Sequence, residues 1–466
     1  MAPVDCTEPG GPAIGPCYSP ALARSSHTDP DPTDPLPRAR GSRLNLDWHR
    51  LKAVVIESDD WGLAAWVADE QAHRVLADTP VFRSEVGRVY GRSTLESAAD
   101  VRALGELLLR FRGGDGFPPV WQANTIVAAP DYARLRPPAF DVGELPLVDL
   151  PETPTRWSRP GMWAQVEAGI EAGWWWPELH GLHHVPVEAW LRALRRGAAD
   201  ARRAHEQQCL VCEAVQASGE YDPGEPLERV TSNLDGAVAR FIKLFGRSPT
   251  SFCPPDYRWD SRLESLAAER GLTTFQGASE RAGRRPARLW RMFDALRWPE
   301  RGAACFAMPP RIAFEPRGAA APAGPSGLDA ATAHVRAAWG RGQPAALSTH
   351  RANYAHLDAA WSDHGRLALG ELLGRLTAEG ACFLTDAEIR ALVERAWSVR
   401  PIGRRGVMVR YYGVPRESIR FAAPAGVAGA RVTEGSGGDR ARVLIEDGDV
   451  VATLDPGEYL IEWSRP

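Results

Sequence analysis

Leu51-Lys-Ala-Val-Val-Ile56 is a short apolar run rich in β-branched residues, and it ends in Glu57-Ser58-Asp59-Asp60-Trp61-Gly62. Such a run fits a buried strand, and acidic residues delivered at a strand's C-terminal end are how α/β proteins build sites. The chain then alternates. Residues 98–112, 160–173, 232–245, 261–270, 366–379 and 386–397 have helical spacing, and 187–217 reads as one long helix with Trp190, Leu191 and Leu194 on one face. Between them, residues 120–127, 174–176, 250–253, 344–349 and 382–384 read as strands. Strand–helix alternation over some 350 residues predicts an α/β fold with a mainly parallel sheet or barrel.

The flanks differ in character. Residues 1–45 are rich in Pro, Ser, Asp, Thr and Gly, so they are expected to stay disordered, with too little apolar surface to offset ordering. From residue 398 the runs 407–412, 418–422, 440–446, 450–454 and 458–463 are separated by Gly and Pro, which predicts a small antiparallel β domain over 398–466.

Composition excludes several classes of function. The chain has 466 residues, 44% hydrophobic and 24% charged, which suits a globular protein. No apolar run nears the roughly 18–20 residues that span a bilayer. A formal charge of −4 argues against a nucleic-acid binder that relies on a general positive field. Seven cysteines at irregular spacing do not form a disulfide framework. The N-terminus has neither a basic nor an apolar signal region, so a cytoplasmic location is expected. The sequence does not fix the oligomeric state.

Four segments carry chemistry. Asp59-Asp60 closes the first strand, where one carboxylate can bind a cation while its neighbour faces a reacting group; such pairs also serve as turn caps. In Pro177-Glu178-Leu179-His180-Gly181-Leu182-His183-His184, His180 and His184 share a face if the segment is a helical turn, and can grip one metal; His180 with His183 is the other pairing. Phe252-Cys253-Pro254-Pro255-Asp256-Tyr257-Arg258 is a loop stiffened by two prolines, able to hold a backbone N–H in place. Ala346-Leu347-Ser348-Thr349-His350 is a second apolar strand, ending in a histidine. Two other features have a plainer reading. Cys209 and Cys212 lie in a helical pattern without a partner pair, and Trp174-Trp-Trp176 is either core or a platform for sugar rings.

In this order, over residues 46–397, the four segments resemble the polysaccharide deacetylase family (carbohydrate esterase family 4). The resemblance implies a distorted (β/α) barrel. It implies Asp59 as general base, Asp60, His180 and His184 as ligands of a divalent cation, zinc first, and His350 as general acid. The implied activity is hydrolysis of an acyl group, N-acetyl above all, from an amino sugar or glycoconjugate. Three positions depart from the pattern: Trp61 stands before Gly62, Gly181 replaces a hydroxyl residue, and Cys253 replaces an arginine that orients the base. Arg258 or Arg311 is the expected substitute. A catalytically silent carbohydrate- or metal-binding relative and a hydrolase of small non-sugar amides are the alternatives.

Overall fold

The parallel sheet begins with the strand the opening segment foretells. β1, Ala53–Trp61, is buried along almost its whole length, as a strand covered on both faces requires. The structure, a computed structural model, describes residues 46–140, 144–216, 219–259, 261–277, 298–299, 305–316, 327–435 and 441–464. The expected disordered segment 1–45 lies outside them.

Eight further strands run parallel in the same sheet: β2 (Trp121–Ile126), β3 (Trp175–Gly181), β4 (Ser251–Phe252), β5 (Thr274–Phe275), β6 (Phe306–Ala307), β7 (Ile312–Ala313), β8 (Ala345–His350) and β9 (Cys382–Leu384). Their order is β6-β5-β4-β3-β2-β1-β8-β7, with β9 paired to the first half of β1. The two ends of this path, β6 and β7, are joined by residues 308–311 alone. Four residues reach at most about 17 Å, so the sheet curls until its ends approach. The result is a distorted (β/α) barrel, with strand C-termini gathered at one end.

The core explains why the sheet holds. Trp61 packs edge-on against Trp121 and Trp175, with ring centroids 6.2 and 4.7 Å away. Trp174 and Trp175 are buried among the same side chains, and Arg247 covers Trp176 at 4.2 Å. The tryptophan triplet is therefore core rather than an open platform. Cys209 and Cys212 are buried free thiols in a second apolar cluster.

Two sequence expectations are corrected. The long helix 187–217 is three helices, Val187–Arg195, Ala199–Glu206 and Glu213–Gln216. The chain turns at Gly197 and Gln208, both with positive φ, and the apolar face resumes after each turn, which is why the pattern reads as continuous. The histidine segment is not helical either: His180 lies within β3 and His184 in the turn beyond it.

After the helix Asp386–Arg395 come seven antiparallel strands: β10 (Trp397–Ile402), β11 (Gly406–Tyr411), β12 (Glu417–Ala422), β13 (Gly429–Gly435), β14 (Arg442–Glu446), β15 (Asp449–Leu454) and β16 (Gly457–Ser464). They form two small sheets, β10-β11-β16-β13 and β12-β15-β14. Val407, Val409, Ile419, Val450, Tyr459 and Ile461 close the core between them. β10 and β13 went unread in the sequence, β13 because its glycine-rich stretch carries little apolar alternation. A buried ion cluster ties this part to the barrel: Arg410 binds Asp115 at 2.6 Å and also Glu388, which Arg400 holds at 3.1 Å. Among the described residues no helix is long and apolar enough to cross a membrane.

Candidate active site

Parallel pairing brings the first two site residues together. β1 and β8 pair in register, with Asp59 opposite His350. The pairing of β1 with β2 shifts register between Ser58 and Trp61, and Asp60 there takes φ 74°. An aspartate in the left-handed region is costly unless the surroundings enforce it. Here the irregularity turns two adjacent carboxylates toward different partners. Gly62 has φ 76°, and a Cβ there would lie 2.5 Å from the Ile126 carbonyl oxygen, so only glycine fits the exit from the bulge.

Asp60 meets both predicted histidines. Its Oδ1 lies 3.4 Å from His180 Nε2 and 3.8 Å from His184 Nε2. His183 points elsewhere; its Nδ1 accepts the amide N–H of Val185 at 3.1 Å. The pairing left open by the sequence is therefore His180 with His184. The three donor atoms lie within 4.8 Å of one another. Ligands about 2.0–2.2 Å from a tetrahedral ion stand about 3.4 Å apart, so the donor set and spacing fit a divalent cation. His180 Nδ1 lies 2.7 Å from the Cys253 carbonyl oxygen; its N–H is donated there, which orients Nε2 toward Asp60. Burial lowers the pKa of His180, but Asp60 and Asp59 outweigh burial and raise it.

A deeper donor set, Asp59, His180 and Cys253, is also within 4.8 Å. It suits a cation less well. Burial and Asp59 push the Cys253 thiol well up, and only the thiolate ligates. The Arg311 guanidinium lies 3.4 Å from its sulfur.

Arg311 is the arginine that holds Asp59. Nη1 donates to Oδ2 at 2.8 Å and Nη2 to Oδ1 at 3.0 Å, a two-pronged ion pair. Its Nε lies 2.6 Å from Glu57 Oε2. Arg258, the other expected substitute, pairs with Asp222 at 2.5 Å instead. Arg311 sits in the link between the ends of the sheet, immediately before β7, and so reaches the barrel mouth from a place no local motif marks. Asn124 adds a third donor to Asp59, at 2.6 Å from Oδ1. Burial would raise the Asp59 pKa, yet Arg311, His180 and His350 hold it well below the usual carboxylate range. Asp59 is therefore an ionised acceptor.

His350 completes the group. Its Nε2 lies 3.9 Å from Asp59 Oδ2, and its Nδ1 is 2.6 Å from Glu315 Oε1. Asn353 donates to the other Glu315 oxygen at 2.5 Å. Burial lowers the His350 pKa, but Glu315, Asp59 and Asp60 push it up to about 10. The Pro-Pro loop forms a tight turn, Pro255–Tyr257, with Asp256 and Tyr257 at positive φ. Tyr257 Oη lies 3.3 Å from Asp59 Oδ2. Its backbone N–H is used inside the turn, donating to the Pro254 oxygen at 3.2 Å. Asn124 and Glu315 were not singled out in the sequence, and Tyr257 was a candidate, with Asp256, only for its backbone N–H and not for its hydroxyl. Asn124 and Glu315 lie outside any motif spacing and are visible only once the strands are assembled.

No protein-family model matches the chain, and no curated protein is similar to it. Solved structures that it resembles include Agd3, a novel carbohydrate deacetylase, at 12% identity over 89% of this chain and 65% of that one, with a TM-score of 0.40. An assigned polysaccharide deacetylase from Mycobacterium smegmatis matches at 13% identity over 74% of this chain and 90% of that one, TM-score 0.37. A CE4 family pseudoenzyme from Bacillus anthracis matches at 9% identity over 72% and 65%, TM-score 0.32.

Proposed function

We propose that this chain is a divergent polysaccharide deacetylase: a metal-dependent hydrolase that removes an acyl group, N-acetyl above all, from an amino sugar or glycoconjugate. The observation that carries the reading is the junction of three arrangements at one barrel mouth. These are the Asp60–His180–His184 donor set, Asp59 gripped by Arg311, and His350 backed by Glu315. Each has a role in amide hydrolysis.

Asp60, His180 and His184 would hold a divalent cation, zinc first, which would supply a Lewis acid for the carbonyl and lower the pKa of water. Asp59 takes the proton of the attacking water; Arg311 and Asn124 keep its carboxylate aimed and ionised. The carbonyl carbon gains an oxygen, and its own oxygen takes the negative charge. We assign the stabilising N–H to Asp256, since that of Tyr257 is engaged within its turn. The C–N bond then breaks as His350 gives its proton to the leaving nitrogen, leaving a free amine and a carboxylate.

The silent-relative alternative rested on the missing motif arginine. Arg311 meets Asp59 from another segment, which removes that ground. The test is metal content by elemental analysis together with acetate release from a panel of acetylated amino sugars. Stoichiometric metal and release from at least one sugar are expected. Protein with full metal that releases nothing from sugars, but hydrolyses small acetamides, would move the substrate to the non-sugar class.

A further inference from the structure

We propose that Glu220 is the positioning residue of the ligand loop, and that Gly181 is glycine because Glu220 occupies the space a side chain would need. The inference rests on the metal-site reading above. Between the two histidine ligands the chain leaves β3 and turns sharply, with His184 at φ 60°. Three successive amides in that turn point to one place. Glu220 Oε1 accepts from Leu182 N at 3.0 Å; Oε2 accepts from His183 N at 3.2 Å and His184 N at 2.7 Å.

Consecutive N–H groups aimed at one anion form a concave cradle. Here the anion is the protein's own side chain, only 1% exposed. Among the described residues its one ion-pair partner within 4 Å is His183 Nδ1, at 3.8 Å, and that nitrogen accepts the Val185 amide N–H at 3.1 Å. The charge of Glu220 is thus answered by the loop backbone rather than by a neighbouring cation. Holding residues 182–184 in this shape is what brings His184 back to the carboxylate that His180 already faces.

Gly181 is the other half of the arrangement. A Cβ there would lie 2.8 Å from Glu220 Oε2 and 3.1 Å from Pro255 Cγ. The carboxylate cannot retreat without releasing the amides it holds. The departure from the family pattern at Gly181 therefore has a structural counterpart in Glu220.

The test uses the full chain with Glu220→Gln and Gly181→Ala. In the glutamine variant one terminal oxygen becomes NH2, so at least one loop amide faces a donor. Gly181→Ala keeps the carboxylate but crowds it. Zn2+ affinity is measured by competition with a chromophoric chelator, and amide hydrogen exchange at residues 182–184 on metal-free protein. Both variants are expected to bind Zn2+ about 10–100-fold more weakly, with faster exchange at those amides. A role confined to stability would lower the melting temperature of the metal-free protein and leave the Zn2+ affinity of its folded fraction unchanged. Wild-type affinity and exchange in Glu220→Gln overturns the proposal, and wild-type affinity in Gly181→Ala overturns its steric half. If the wild-type protein binds no Zn2+, the functional reading fails, and exchange alone decides whether Glu220 shapes the loop.

Discussion

Two buried charge clusters use the same residue types to opposite ends. Where the barrel meets the C-terminal strands, Arg410 and Arg400 face Glu388 and Asp115, two cations against two carboxylates. Glu388 also accepts the Thr385 amide at 2.9 Å, while Arg400 donates to the Gly173 oxygen at 2.9 Å and Arg410 to the Phe383 oxygen at 3.2 Å. At the barrel mouth, Asp59 pairs with Arg311, Asp60 lies against His180 and His184, and Glu315 holds a protonated His350. Asp60 and His184 there hold left-handed backbone, and Asp60, His184 and His350 keep about a fifth of their side chains exposed. Burial alone does not separate a structural cluster from a reactive one. An opening to solvent and a strained backbone together do.

The sharpest way to break the comparison is to remove the ligands. His180→Ala combined with His184→Ala is expected to abolish both stoichiometric metal and hydrolysis, while the junction cluster keeps the protein folded. Retained stoichiometric metal, seen by elemental analysis, would end the assignment. Next comes the base. Asp59→Asn should keep metal but lose about 10²–10⁴-fold in turnover, and His350→Ala should lose a similar factor. Near-wild-type rates in either variant would remove that residue from the mechanism.

The junction should respond in the other currency. Arg410→Met leaves Glu388 and Asp115 buried with one cation fewer, and breaking a buried pair this way costs about 3–5 kcal/mol. Urea unfolding is expected to show that loss, with turnover per folded molecule unchanged. If Arg410→Met instead slowed turnover and left stability intact, the division between the clusters would be wrong.

Legibility in the sequence followed the range of the interaction. β1 and β8 were readable because each is a continuous apolar run with its reactive residue at the end. The His180–His184 spacing was readable but its geometry was not. A spacing of four suits a helix, and here a strand followed by a left-handed turn brings the rings to 5.4 Å. Arg311 belonged among the candidates only as one of two arginines, since β6 and β7 are two residues each and carry no periodic signal. Glu315 lies 35 residues before the histidine it binds, and Glu220 lies 36 to 38 residues from the amides it holds. Such partners are fixed by how the sheet curls, not by local pattern.

The smallest expected effect probes the acid through its partner. In the metal-free protein His350 is raised from an ordinary value near 6.5 to about 10, with burial opposing and Glu315, Asp59 and Asp60 prevailing. A group raised on folding lends stability that is fully present below its unfolded pKa and is lost as pH rises through the folded one. Metal-free wild-type protein should therefore lose melting temperature between about pH 6.5 and 10. Glu315→Gln removes the charge that does most to hold the proton, while the amide oxygen can still accept from Nδ1. Asp59 and Asp60 remain, so the His350 pKa should fall only part of the way toward 6.5. The variant's decline should then begin at the same pH and end earlier, with the alkaline limb of turnover in the metal-loaded enzyme moving toward lower pH. A melting profile from pH 6.5 to 10 that matches wild type would mean that the Glu315 carboxylate does not hold the His350 proton, and that the acid at this mouth is set by the aspartates alone.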